Sequence, residues 1–299
     1  MADASRVLLL NRYEIDPTSP LPAFTRASAR AFAAIDRNEP SRPIYAVVTD
    51  PKLPYRQRSY HQARQIQSDA FTTLIRSGSE MWPLTQRKET ILIVPRPVGT
   101  PLMESLTRRF EPMPFHRLTR NVLPTIANML EELANYHIAH RVIRPDNIFI
   151  NADTDQINVG ECFSVPGGVA LPAVFEPLER AMCLPEGRGE GDPSDDMFAL
   201  GVTVLFLVLG QNPVADLDHE TLMLRRRQLG TYAALVGKRR VPTELIQMLR
   251  ALLRDEPADR WTVEDLLGWL NNGRTSSPPV TVKAECTKPF EFGDRKHKT

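Results

Sequence analysis

His140-Arg141-Val142-Ile143-Arg144-Pro145-Asp146-Asn147 is the stretch that decides how this chain folds. Within eight residues it gathers an imidazole, two guanidinium groups, a carboxylate and an amide, side chains that enzymes use to move protons and hold charge. Val142 lies in the middle of this group, and its side chain can neither donate nor accept a proton. The stretch therefore reads as an active-site loop whose central working residue is missing.

Three more short segments form an ordered set with this loop. They are Pro177-Leu178-Glu179, Asp196-Met197-Phe198-Ala199-Leu200-Gly201 and Asp255-Glu256-Pro257-Ala258-Asp259-Arg260-Trp261-Thr262. In order, the four resemble the protein-kinase catalytic loop His-Arg-Asp-x-Lys-Pro-x-Asn, the Ala-Pro-Glu that closes the activation segment, the Asp-x-Trp-x-x-Gly segment that opens the central helix, and the C-terminal Asp-Pro-x-x-Arg-x-Thr signature. The resemblance runs over about residues 30–270, so it covers most of the chain.

The resemblance implies an α+β, bilobal protein-kinase-like fold, with a small β-rich N-lobe over residues 1–97 and a larger helical C-lobe over 98–271. Residues 45–48 and 91–94 are apolar and β-branched, which predicts strands. Residues 62–77 are predicted to form the N-lobe helix, because they carry apolar residues at helical spacing. The pattern becomes helical from about residue 118. Residues 272–299 are predicted to be a linker or tail that leads to a further domain or ends in disorder.

Four residues of the motifs are expected to maintain the fold. The resemblance implies that His140 packs in the core and that Asp196 accepts hydrogen bonds from the backbone around it. It further implies that Glu179 pairs with Arg260 inside the helical lobe. Breaking such a buried pair costs about 3–5 kcal/mol, so these residues belong to folding.

The positions that would perform phosphate transfer are largely replaced. Val142 stands where the family has its catalytic Asp. Aligning the strand on Ala46 places Val48 where the family has a phosphate-binding Lys, and Gln67 occupies the helix that should offer this Lys a Glu. The stretch 16–25, which should be a glycine-rich phosphate loop, has three prolines and no glycine.

Three polar residues are left as candidates to bind a nucleotide or a metal, and Ala46 is the candidate apolar wall of the same pocket. Asn147 matches the metal-binding Asn of the family, and Glu161 takes the place of the second metal ligand, an Asp. Whether this pair holds a metal or Glu161 instead faces solvent or an Arg stays open, and the metal is unknown. Arg144 replaces the usual loop Lys and could hold a phosphate in bidentate fashion.

These replacements predict a pseudokinase, a catalytically impaired kinase-like module with a regulatory, scaffolding or partner-binding role. The alternative is an atypical ATP-dependent transferase or weak Ser/Thr kinase that uses Asn147, Glu161 and Arg144. No cofactor is expected under the first hypothesis, whereas ATP with Mg²⁺ is required by the second. The expected partner is a protein or a neighbouring domain.

Composition excludes other classes of protein. The net charge of +1 gives no overall attraction to nucleic acid, and the basic runs 225–227 and 238–240 are interpreted as solvated helix faces. The longest apolar run, residues 199–209, is about half of a membrane span. Three scattered cysteines favour a reducing compartment, so we expect a soluble cytoplasmic protein with no nucleic-acid or membrane partner.

Overall fold

Six antiparallel strands and one helix form the N-lobe in the computed structural model, which describes residues 6–26 and 28–271. The strands are hydrogen-bonded in the order β1-β2-β3-β4-β6-β5. The elements are β1 (Val7–Leu9), β2 (Tyr13–Pro20), β3 (Arg30–Asp36), β4 (Ile44–Val48), α1 (Gln57–Ala63), β5 (Arg76–Trp82) and β6 (Arg87–Pro95). The strands predicted over residues 45–48 and 91–94 are confirmed as parts of β4 and β6.

The N-lobe sheet curls around its own apolar core. The edge strand β1 packs against β5 at the opposite edge, and the enclosed cluster includes Tyr13, Phe32 and Trp82. Ala46 and Val48 also point into this cluster, away from the C-lobe. Because side chains alternate along a strand, Tyr45 and Val47 take the opposite face, where they join the large core shared with the C-lobe.

The helix predicted over residues 62–77 is wrong. Helix α1 ends at Ala63, and the chain then runs through turns and extended backbone into β5. Ala70 and Leu74 are buried as their spacing suggested, but Ala70 lies in a turn and Leu74 in an irregular stretch before β5. The backbone of residues 70–72 pairs instead with Val159, which donates to Ala70 O at 2.7 Å and accepts from Thr72 N at 3.1 Å. Gln67 is exposed in the loop, so it occupies no helix.

Helices dominate the C-lobe, which also contains a small sheet of order β7-β8-β9. Its strands are β7 (Thr100–Pro101), β8 (Ile148–Ile150) and β9 (Ile157–Val159). The helices of the C-lobe are α2 (Phe115–Arg117), α3 (Leu123–Asn135), α4 (Gly167–Ala170), α5 (Leu178–Ala181), α6 (Pro193–Leu209), α7 (His219–Leu229), α8 (Thr231–Val236), α9 (Thr243–Leu252) and α10 (Val263–Asn271). This α+β arrangement in two parts confirms the predicted fold class.

Helix α6 is the centre of the C-lobe, with its side chains buried from Asp195 to Leu207. It begins with a capping box, in which the Asp192 side chain accepts from Ser194 N and the Asp195 side chain accepts from Asp192 N. No helix in the described part of the chain is long and apolar enough to cross a membrane. The predicted tail, residues 272–299, lies outside the described residues.

Candidate functional site

Asp196 holds the loop that opens the site. From the first turn of α6, its carboxylate accepts from the backbone N–H groups of His140 at 2.5 Å and Arg141 at 2.8 Å. This is the role expected for Asp196 from the sequence. Burial raises the pKa of Asp196 to about 7 and lowers that of His140 to about 3, so the imidazole is neutral near neutral pH. His140 is fully buried, as expected of a core residue.

Arg141, the next residue of this loop, forms a buried ion pair with Glu176. Its Nη2 donates to both carboxylate oxygens of Glu176, at 2.7 and 2.9 Å, and both side chains are fully buried. Its Nη1 lies 3.4 Å from Asp195 Oδ2. The sequence analysis did not predict this pair, because no motif links Arg141 to Glu176.

The predicted Glu179–Arg260 pair is wrong. Glu179 is exposed on α5, and the Arg260 guanidinium donates to the backbone oxygens of Arg254, Asp255 and Ser194 and to the Ser194 hydroxyl. Arg260 therefore joins the start of α6 to the turn before α10, and carbonyl dipoles rather than a carboxylate hold its charge. Arg260 therefore has a structural role, as predicted, but its partners are backbone oxygens and the Ser194 hydroxyl rather than Glu179.

The reacting side of the cleft carries apolar residues where charge would be needed. Val142 is 2 % exposed and part of the shared core. On β4, Val47 rather than Val48 faces the C-lobe, so the alignment on Ala46 was shifted by one residue and Ala46 cannot line the cleft. The correction leaves the chemistry unchanged, because Val47 offers no cation either.

Asn147 is buried and its amide is fully engaged. Its Nδ2 donates to the carbonyl oxygen of Val142 at 3.1 Å and to that of Gly160 at 3.3 Å. Its Oδ1, the atom that would face a metal, accepts from Arg26 Nη2 at 2.7 Å. Arg26 comes from the loop between β2 and β3, 121 residues earlier in the chain. Sequence reasoning missed it, since no motif marks this position.

Glu161 is turned back onto its own segment. Its Oε2 accepts from the N–H groups of Phe163 at 2.7 Å and Ser164 at 2.9 Å, and its Oε1 accepts from the Ser164 hydroxyl at 2.6 Å. Glu161 is 3 % exposed, so it does not face solvent, and the hydrogen bonds of both its carboxylate oxygens are to Phe163 and Ser164. The structure therefore does not bring the carboxylate of Glu161 and the amide oxygen of Asn147 together as ligands of one ion.

Arg144 is also occupied. Its Nε and Nη2 donate to the two carboxylate oxygens of Asp146, at 2.6 and 2.8 Å, and its Nη1 donates to Ala170 O at 3.1 Å. This bidentate pair is the geometry that a bound phosphate would otherwise receive. Arg144 could hold a phosphate, as predicted, only if its contact with Asp146 were broken first.

Arg56, just before α1, fastens the N-lobe to the C-lobe. Its guanidinium donates to the carbonyl oxygens of Ala139 at 2.7 Å, His140 at 3.0 Å and Cys162 at 3.1 Å. Its Nε donates to Glu190 at 2.5 Å. A single buried side chain thus ties α1 to both segments that flank the cleft, and sequence reasoning did not single it out.

The described residues do not fit the Mg²⁺ and nucleotide that kinases use. Of the two expected ligands, one amide oxygen is taken by a guanidinium and one carboxylate by backbone N–H groups. A divalent cation at Asn147 would also stand next to the Arg26 charge in a buried site, where repulsion is strong. Within residues 6–26 and 28–271, no group of three or more His, Cys, Asp and Glu side chains is arranged to hold a metal.

The two lobes, and the loop held by Asp196, define a protein kinase-like protein. No family model matches the chain. Sperm motility kinase 1 of Mus musculus is 28% identical over 166 residues, which are 52% of this chain and 32% of that protein. MAP kinase-activated protein kinase mak-1 of Caenorhabditis elegans is 28% identical over 159 residues, 49% of this chain and 30% of that protein. The chain thus spans about a third of the length of these relatives.

Comparison with solved structures gives the same fold. The crystal structure of Rad53 1-466 in complex with AMP-PNP matches with a TM-score of 0.66 and 15% identity, over 87% of this chain and 65% of that chain. The chain therefore has the protein-kinase-like fold.

Proposed function

We propose that this chain is a pseudokinase module, which does not transfer phosphate and acts by binding a partner protein or a neighbouring domain. The observation that carries the proposal is the hydrogen bond from Arg26 to Asn147 Oδ1. It places a fixed positive charge of the protein where a catalytic cation would have to bind. The remaining polar groups, Glu161 and Arg144, are likewise held by partners within the chain.

The residues at the reacting positions support the same proposal. Losing a general base costs about 10²–10⁴ in rate, so Val142 alone would leave measurable turnover. Val47 removes the cation for the phosphates as well. Phosphate transfer depends mainly on positioning and charge stabilisation, and the three polar candidates, Asn147, Glu161 and Arg144, are already bound by other groups of the described chain.

Incubation of the purified chain with radiolabelled ATP and Mg²⁺ or Mn²⁺ tests the proposal. We expect no transfer to the chain itself or to generic protein substrates, and no rise in melting temperature at millimolar ATP. The matched control is Asn147→Ala, which should behave as the wild type in both assays. Transfer that the wild type performs and Asn147→Ala loses would refute the proposal and favour an atypical transferase.

A further inference from the structure

We infer that the loop between β2 and β3 is an internal ligand of the cleft, in which Phe24 occupies a slot for a planar ring and Arg26 occupies a cation position. The inference rests on the proposed function, because a cleft that turned over nucleotide could not keep this loop inside it. It adds how the cleft is kept closed. The loop is defined here as residues 21–26, all of which the structure describes.

Phe24 is bound as an aromatic ligand would be. Its ring stacks on Tyr45 of β4 at a centroid distance of 4.6 Å and on Phe149 of β8 at 5.8 Å, with interplanar angles of 27° and 21°. The guanidinium of Arg96, in the segment between β6 and β7 that joins the two lobes, lies over the same ring at 5.5 Å. Phe24 is 7 % exposed. Residues of both lobes and Arg96, at the junction between the lobes, thus contact one ring that the loop between β2 and β3 supplies.

Arg26 completes the contact on the polar side. Its Nη2 bonds to Asn147 Oδ1 at 2.7 Å, while its Nη1 lies 3.3 Å from the carbonyl oxygens of Ala23 and Thr25. Arg26 is 8 % exposed, and its buried Nε has no hydrogen-bond partner among the described residues. Burying the Arg26 charge with one strong hydrogen bond to a residue outside the loop is costly. The packing of the loop must therefore hold the guanidinium in this position.

The sequence of the loop prepares it for this position. Pro22 begins a single 3-10 turn, Pro22–Phe24, and proline has its φ already fixed, so little conformational entropy is lost when the loop docks. Leu21 N donates to Ala31 O at 2.8 Å, and the Thr25 hydroxyl accepts from Ala31 N at 3.2 Å. The prolines that replace a glycine-rich loop therefore stiffen the segment that carries Phe24 and Arg26.

The first experiment removes the ring and offers a replacement. Phe24→Ala should leave a flat cavity between Tyr45 and Phe149, which adenine, used as a planar probe, can fill. Adenine at ten times its Kd should raise the melting temperature of Phe24→Ala by about 2–4 °C and leave the wild type unchanged. The matched control is Phe32→Ala, which empties a position of the N-lobe core beside Trp82 instead. An equal rise in all three proteins, or none in folded Phe24→Ala, would overturn the inference.

A second measurement does not depend on the folding of Phe24→Ala. The backbone N–H groups of Leu21, Phe24, Thr25 and Arg26 are all hydrogen-bonded. In Arg26→Met we expect their hydrogen exchange to accelerate at least about tenfold, while exchange in the β1–β2 hairpin stays as in the wild type. Unchanged exchange at these four positions would contradict a docked loop. Phosphate transfer by the wild type would refute the proposed function, yet neither of these readouts measures transfer, so the two failures can be told apart.

Discussion

A single nitrogen of Arg141, Nη2, donates to both carboxylate oxygens of Glu176, and water reaches neither side chain. Glu176 comes from the segment just before α5, so this pair fixes the end of that segment to the loop at His140–Asn147. Burial raises the pKa of Glu176 and Arg141 opposes this rise, which is the balance expected of an ion pair removed from water.

Glu176→Gln should destabilise the protein by about 3–5 kcal/mol, because it removes the carboxylate that accepts from Arg141 Nη2 and leaves Asp195 as the remaining ion-pair partner of this buried charge. Glu179→Gln is the matched control. It changes the same chemical group three residues later on an exposed position, and should alter the free energy of unfolding by no more than about 0.5 kcal/mol. Urea unfolding followed by circular dichroism measures both. A larger loss in Glu179→Gln would restore the pairing suggested by the motifs.

Arg56→Met should cost about 3 kcal/mol or more, because three buried carbonyl oxygens lose a charged donor at once. Arg58→Met, on an exposed face of the same helix, provides the comparison and should be close to neutral. The free energy of unfolding in urea gives the magnitude. Hydrogen exchange should show the loss at residues 139–141; protection retained there in Arg56→Met would mean that this side chain does not hold the lobes together.

How much the sequence predicts depends on whether a feature is local. The four motifs, in their order along the chain, predict the fold. They also predict the contact between Asp196 and the backbone of His140, two residues that are far apart in the sequence. The orientation of β4 could not be predicted, because all five of its residues are buried and no polar alternation marks the outer face. The prediction of a helix over residues 62–77 failed because the same spacing of apolar residues is met by a non-helical segment, in which Ala70 lies in a turn and both Ala70 and Leu74 are buried.

The sequence predicts which charged residues the candidate site lacks, but it does not predict which residues occupy the site instead. Replacement of the acidic residue by Val142 is visible in a motif. Arg26 is not visible, because its contact with Asn147 joins residues far apart in sequence and depends on the path of one loop. Glu176 and Glu179 flank the same Pro177, and only burial distinguishes them.

His140 should make stability depend on pH. Its pKa falls from 6.5 to about 3 on folding, so between these values the unfolded chain binds a proton that the folded chain excludes, and stability falls as pH is lowered. Asp196 acts in the opposite direction, since its pKa rises from 3.8 to about 7 on folding. Its contribution is common to wild type and His140→Phe. Between about pH 8 and about pH 5 the wild type should therefore lose about 2 kcal/mol relative to His140→Phe in urea unfolding. Parallel pH curves for the two proteins would rule out a neutral buried imidazole.

Gly160 leaves the space that Asn147 needs. Its φ is not in the left-handed region, so alanine suits the backbone, but a Cβ would collide with Asn147 Oδ1 and approach Phe149 Cε2 to 3.1 Å. Gly160→Ala should therefore cost about 1–3 kcal/mol by displacing the amide that Arg26 binds. Gly268→Ala is the control, since nothing lies within 4 Å of a Cβ there and α10 should gain about 0.5–1 kcal/mol.

In a double-mutant cycle, Gly160→Ala and Arg26→Met should cost less together than the sum of the two, because each breaks the same contact. Additive losses would mean that Gly160 is needed for a reason unrelated to Arg26.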